Sequence, residues 1–195
     1  MKPRLIPQFG AMPGKSTTDA ALCLAHDIHA TNNHILYTSL ITFDTTGYFD
    51  NVNHNRILAV LRDKGIQLPI CRWVQSFVNS RVTRIRVDGY TDREGQDPCE
   101  RGCPQGSPVS GVLASYYSAA LLEMFIQGNR RNHSIPAQEL DNTRYNNGTP
   151  ITAGLFADDG SLHTASDSPT TNAERLQRAF ERVIAWADQN GLKIE

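Results

Sequence analysis

Stretches with a two-residue hydrophobic period and stretches with a three-to-four-residue period alternate along this chain, and they mark out its elements. Tyr37 to Phe43 is a β-rich run ending in Asp44, and Ile151 to Phe156 is a second run ending beside Asp158. The pair Asp159-Gly160 has turn character and Leu162 to Ala165 returns, so a hairpin is predicted with the aspartates at its tip. Ser16 with Asp19 three residues on is a capping-box pattern, and it predicts a helix over Ala20 to Ala30. Asn53 caps another helix, whose apolar stripe is Ile57, Leu58, Val60 and Leu61, and Gly65 stops it. Pro69 to Asn79 is a further helix, with Trp73 and Phe77 four apart and read as core. A long helix from Pro108 to Gln127 is built on Val109, Val112, Leu113, Tyr116, Tyr117, Leu121 and Leu122. Pro169 suits the first turn of the last helix, which carries Leu176, Phe180, Val183, Ile184 and Ala187 on one stripe. Asn190-Gly191 ends that helix, and Leu192 to Ile194 begins a strand.

Weaker signals fill the gaps. Val82 to Val87 alternates and Asp88-Gly89 is a hairpin signal, while Thr91 to Glu100 reads as polar loop. Gly128 to Pro150 is polar, with Asn129, Asn132, Asn142, Asn146 and Asn147, and reads as a flexible excursion. The order of elements gives an α+β domain whose antiparallel sheet carries helices on one face.

Composition adds bounds. With 195 residues, 39% hydrophobic and 20% charged, the chain can form one domain with a real core, or a piece of a larger one. The net charge of −1 gives no global support for nucleic-acid binding. Arg72, Arg81, Arg84 and Arg86 lie close together in sequence, either as a solvated face or as a nucleic-acid contact. The four cysteines, Cys23, Cys71, Cys99 and Cys103, form no CxxC pair, which fits reduced thiols in an intracellular protein. No apolar run reaches the ~18 residues of a membrane span, and Met1 to Gln8 lacks the apolar core of a signal peptide.

The candidate chemistry sits on the two carboxylate-tipped strands. Asp158 and Asp159 are adjacent anions, which either make a polar turn or attract a cation. Asp44 tilts the balance. If its strand neighbours the hairpin, it faces Asp158, and hard ions such as Mg2+ seek such carboxylate oxygens. Paired ions of this kind serve in-line phosphoryl displacement. Upstream of the long helix, Gly102 to Ser107 is tight and nearly free of bulky side chains, so backbone there can approach a base pair or sugar. Pro104 and Gly106 shape that loop, and the Gln105 amide can hydrogen-bond a nucleotide or template. Gly14-Lys15-Ser16 is a poor phosphate-binding loop, because Phe9 stands where that motif requires glycine.

Taken together, Phe43-Asp44 through Asp50-Asn51-Val52, Gly102 through Pro108, and Phe156-Ala157-Asp158-Asp159 resemble the three core motifs of reverse transcriptases, in the family's order. The resemblance is closest to the non-LTR retrotransposon branch, with group II intron enzymes as cousins. Residues Gln8 to Ser16 also resemble the segment that opens the fingers in retrotransposon enzymes, although many relatives carry Arg where this chain has Met12. The resemblance implies a partial domain over residues 1–195: a right-hand polymerase palm at 36–195, including the excursion 128–150, a fingers remnant at 8–30, and no thumb. It implies RNA-directed DNA synthesis on an RNA or DNA template, from a primer and deoxynucleoside triphosphates. Asp44, Asp158 and Asp159 would hold two Mg2+ ions, or Mn2+. Phe49 would be the sugar gate, with Tyr48 its neighbour, and Lys15, Pro104, Gln105 and Gly106 would bind substrate. The family's Lys near the triphosphate lies just beyond Glu195. The isolated chain is therefore expected to extend primers poorly. An inactive retroelement remnant or a non-enzymatic nucleic-acid-binding domain are the alternatives.

Overall fold

A computed structural model of the chain describes residues 8–79, 81–83, 86–91, 97–126 and 149–195. Arg84 and most of the excursion at 128–150 therefore lie outside the described residues.

The centre is a three-stranded antiparallel sheet. β1 (Tyr37–Phe43) and β7 (Thr152–Phe156) flank β8 (Asp159–Ser166). β1 starts and stops where its β-rich run does, and its register on β8 runs from Tyr37↔Ser166 to Phe43↔Gly160. On the inner face Ile41, Phe43, Leu162, Ala153 and Leu155 meet α6 (Pro169–Gln189) and α5 (Pro108–Ile126). α6 is capped by Ser168, whose hydroxyl accepts from Thr171 N–H, with Pro169 at the first turn. It buries Leu176, Ala179, Val183, Trp186 and Ala187, and Phe180 lies 5.8 Å from the Phe43 ring.

α5 is enclosed on nearly all sides, which its apolar sequence requires, since a helix apolar all round must be buried. Tyr117 makes it the hub: its hydroxyl donates to the Asn190 carbonyl at 2.7 Å and accepts from Asn53 N–H at 3.3 Å. α3 (His54–Asp63) is capped by Asn53 and packs through Ile57, Leu58, Val60 and Leu61 on α5 and α4 (Leu68–Asn79). The hairpin signal at Asp88-Gly89 is met by β4 (Arg86–Val87) paired with β5 (Tyr90–Thr91).

The structure departs from the sequence expectations in four places. The hairpin turns at Ala157-Asp158, not at Asp159-Gly160, which already belong to β8. Gly160 is glycine for another reason: a Cβ there would lie 2.2 Å from the Phe43 ring. Trp73 is not core. It is 54% exposed and stacks on Phe77 at 5.6 Å, while Cys71, Val74 and Val78 form the buried stripe of α4. Part of the polar stretch after Thr91 is paired, as β6 (Asp97–Pro98) joins β3 (Val82–Thr83).

Finally, helices occupy both sheet faces. α1 (Thr17–Asn32) lies opposite α6, bonded through Thr31–Thr38 and through Asp27 to His163 at 3.1 Å. Its capping box forms as expected, with Ser16 and Asp19 bonded reciprocally.

The Phe43–Gly160 fit gives a direct test. Gly160→Ala should lower unfolding stability by about 1–3 kcal/mol, as overpacking does. Urea denaturation should show that Phe43→Leu, added to it, recovers part of the loss.

Candidate active site

Three elements bring the carboxylates together. The β1–β8 register pairs Phe43 with Gly160, so one step further along the two strands Asp44 comes to the level of Asp159. The two-residue turn holds Asp158 next to them, and Ala157 at its start has φ +58°. That left-handed geometry suits tight hairpin turns whose twist matches the strands. Thr45 ties both sides: its N–H donates to the Asp44 carboxylate at 2.6 Å, and its hydroxyl to the Asp158 carbonyl at 3.4 Å.

After Asp44 the chain leaves β8 and pairs with the end of the sequence. β2 (Thr45–Thr46) joins β9 (Lys193–Ile194), and Asp44 and Glu195 exchange both backbone hydrogen bonds, at 3.3 and 2.9 Å. This clamp fixes the Asp44 backbone from the side away from the hairpin. The hairpin turn is buttressed in turn by the segment before α1. Gln8 pairs in parallel with Leu155, and Gly10 presses on the turn so closely that a Cβ would lie 2.3 Å from Ala157 N.

Electrostatics mark the cluster as anionic and uncompensated. Loss of hydration pushes the Asp159 carboxyl above the ordinary aspartate range, and repulsion from Asp158 and Asp44 adds to it. None of the three has an ion-pair partner among the described residues. Among those residues, no group of three or more His, Cys, Asp or Glu side chains is placed to hold a metal ion unaided. The donor set is nonetheless hard oxygen with uncancelled charge. That suits Mg2+, which takes one or two carboxylates and completes its shell with waters and substrate phosphates.

The neighbouring residues divide sharply. Tyr48 and Phe49 open α2 (Tyr48–Asn51), a short helix that starts after Gly47 at φ +55°. Tyr48 is only 3% exposed, and its hydroxyl donates to the Ala114 carbonyl at 2.8 Å, so it belongs to the core. Phe49 packs edge-on against it at 5.7 Å and stays partly open. Asp50 is exposed on α2, beyond the end of β1. Gln105 and Gly106 form an exposed turn before α5, with Pro104 half-buried. Lys15 makes no ion pair with the carboxylates among the described residues. Its ammonium donates to the Gln8 carbonyl at 2.8 Å and sits 4.8 Å above the Phe9 ring, binding the entry segment to itself.

Sequence reasoning missed how the loop at Gly102 meets α2. Gly102 N–H donates to Val52 O at 2.8 Å and Cys103 N–H to Phe49 O at 2.7 Å. Gly102 has φ +88°, and a Cβ would lie 2.8 Å from Asp50 O. A glycine directly before a buried Cys was the available signal.

The helix-backed antiparallel sheet thus carries carboxylates at the ends of adjacent strands. The profile of the family described as reverse transcriptase (RNA-dependent DNA polymerase) matches residues 5–195, and the chain belongs to that family. Solved structures similar to it include Candida albicans telomerase in complex with a TWJ fragment of telomeric RNA. That match has TM-score 0.63 and 10% identity, covering 96% of this chain and 31% of that one. Apo telomerase from Candida tropicalis, truncated from its C-terminal domain, matches with TM-score 0.59 and 12% identity, covering 85% and 31% respectively. The chain thus spans about a third of the length of these structures. Comparison with curated protein sequences returns no match.

The raised Asp159 pKa has a definite sign. The folded state binds this proton more tightly than the unfolded chain, so ionisation of Asp159 costs stability as pH rises through the ordinary aspartate pKa. Asp159→Asn should therefore raise Tm at pH 7 in the presence of a chelator. Thermal melts should show the gain disappear once the pH falls below the ordinary aspartate range.

Proposed function

We propose that this chain is the palm portion of a retrotransposon-type RNA-directed DNA polymerase, which adds deoxynucleotides to a primer along an RNA or DNA template. The observation that carries the reading is the β1–β8 register, which sets Asp44 level with Asp159 and beside the Asp158 turn. Asp44 and Asp158, with Asp159 alongside, are the residues that would hold two divalent ions. Such ions, when bound, activate an attacking hydroxyl and stabilise a leaving oxygen.

The chain's own residues do the positioning. β2–β9 pairing and the Gly10 buttress hold the carboxylate-bearing backbone rigid, as in-line transfer demands. On the outer sheet face beyond α1, Thr42 and Ser161 present small side chains and Gly154 none beside the carboxylates, leaving room for a primer end. Phe49, partly open and wedged against buried Tyr48, is placed to press on a sugar ring and exclude a 2′ hydroxyl. The exposed Gln105-Gly106 turn, joined to Phe49 through the Cys103 hydrogen bond, would contact the incoming nucleotide or its template base.

Two measurements test this. Purified chain, given primer–template, Mg2+ and deoxynucleotides, should show template-dependent incorporation; Asp158→Asn should reduce it at least about a hundredfold. Phe49→Ala should admit ribonucleotides while sparing deoxynucleotide use. Duplex binding without any metal-dependent incorporation would instead assign the inactive-remnant or nucleic-acid-binding reading.

A further inference from the structure

His54 and Arg81 share one acceptor. His54 is buried at the start of α3, and its Nε2 lies 2.8 Å from the Gly102 carbonyl oxygen. Arg81, between α4 and β3, donates from Nη2 to the same oxygen at 2.6 Å. A carbonyl has two lone pairs, so one oxygen can accept both bonds. It also fixes the imidazole: Nε2 must carry the proton here, because a carbonyl can only accept.

The bonds on the other side of Gly102 give this junction its meaning. Its N–H goes to Val52 O, the next N–H goes to Phe49 O, and Asn53 bridges Arg101 in antiparallel fashion. Residues 101–103 are thus sewn to residues 49–53. Gly102 cannot shift away or gain a side chain, since a Cβ would strike Asp50 O. Two residues further on comes Pro104, followed by Gln105 and Gly106. Phe49 and the Gln105 turn are therefore two jaws of one block, and the His54–Gly102–Arg81 junction sets the distance between them.

We infer that His54 and Arg81 are positioning residues for sugar selection, acting through the Gly102 carbonyl without touching the nucleotide. The inference rests on the proposed function, because it presumes that Phe49 and the Gln105 turn flank the nucleotide. The linkage has a physical basis. A group misplaced by an ångström costs on the order of a hundredfold, and the difference between ribose and deoxyribose is one hydroxyl's breadth. Arg81 adds a charge-assisted bond, stronger than a neutral one. With one partner removed, the carbonyl keeps a single side-chain anchor, and the loop is left to pivot by a fraction of an ångström about its backbone bonds to Val52 and Phe49.

The test reads discrimination, a ratio that partial unfolding does not alter. The 195-residue chain is titrated with dGTP and with GTP, each with Mg2+, and binding is followed by NMR at the Phe49 and Cys103 amides. Wild type should prefer dGTP. His54→Phe keeps the ring but no donor, and should reduce the preference by about tenfold, the order expected of a sub-ångström drift. His54→Gln, whose amide nitrogen can replace Nε2, should restore it, and Arg81→Met should act like His54→Phe. Where His54→Phe does not fold, Arg81→Met with Arg81→Lys rescue carries the same comparison. Unchanged preference in His54→Phe and Arg81→Met overturns the inference and leaves the proposed function standing. Wild type that binds both nucleotides equally, or neither, overturns the inference, because Phe49 and the Gln105 turn then flank no nucleotide sugar; the proposed function stands or falls separately by the primer-extension assay.

Discussion

The arrangement depends on one close contact, the Phe43 ring lying over the bare backbone of Gly160. An aromatic ring packed on a cross-strand glycine fills space that any other residue would occupy. It therefore selects a single register for β1 against β8. A slip of one residue would put Ser161 or Asp159 opposite Phe43 and turn every β1 side chain to the other sheet face. Phe43 meets Phe180 on its far side, so the same ring locks α6 to the sheet. Asp44 is the very next residue. Its position relative to Asp158 and Asp159 is thus set by hydrophobic packing directly beneath it, and not by any attraction among the carboxylates, which repel.

A second constraint works on the other flank. The Gly102 loop is held to α2 by backbone bonds and by the shared carbonyl of His54 and Arg81. Burial of Cys103 beneath it pushes the thiol pKa up and makes it part of the core. The two glycines have unrelated reasons for being glycine. Gly160 lacks a side chain because Phe43 needs the volume, and Gly102 because its φ is positive and Asp50 is close. In both cases the missing atom sets the distance between two functional segments.

Much of this was legible in the sequence. The β1 run ends at Phe43 in both readings because alternation and burial agree there. The caps of α1 and α3 form as Ser16 and Asn53 allow, and Pro169 stands in the first turn of α6. What failed did so where two causes leave one local signature. Asp159-Gly160 looks like a turn because Asp-Gly pairs make turns, whereas this glycine answers to a ring far upstream in the sequence: only the cross-strand register shows Phe43 above it. Trp73 and Phe77 share helical spacing whether they face core or solvent; Phe77 packs against the core, but Cys71, Val74 and Val78 took the buried side and left Trp73 exposed.

The charge distribution constrains how such a site works. The whole chain is nearly neutral at −1, so long-range attraction for nucleic acid is small and binding must come from local contacts. Three carboxylates without counter-charges stand at the proposed reaction centre, and one already has a raised pKa. A triphosphate approaching these groups bare would meet repulsion in a partly desolvated place, where Coulomb energies exceed those in water. On the proposed function, the carboxylates are therefore neutralised before or together with nucleotide arrival. A rigid, pre-paired backbone at Asp44 and Glu195 serves that order, because it holds the anions together against their own repulsion until charge compensation comes.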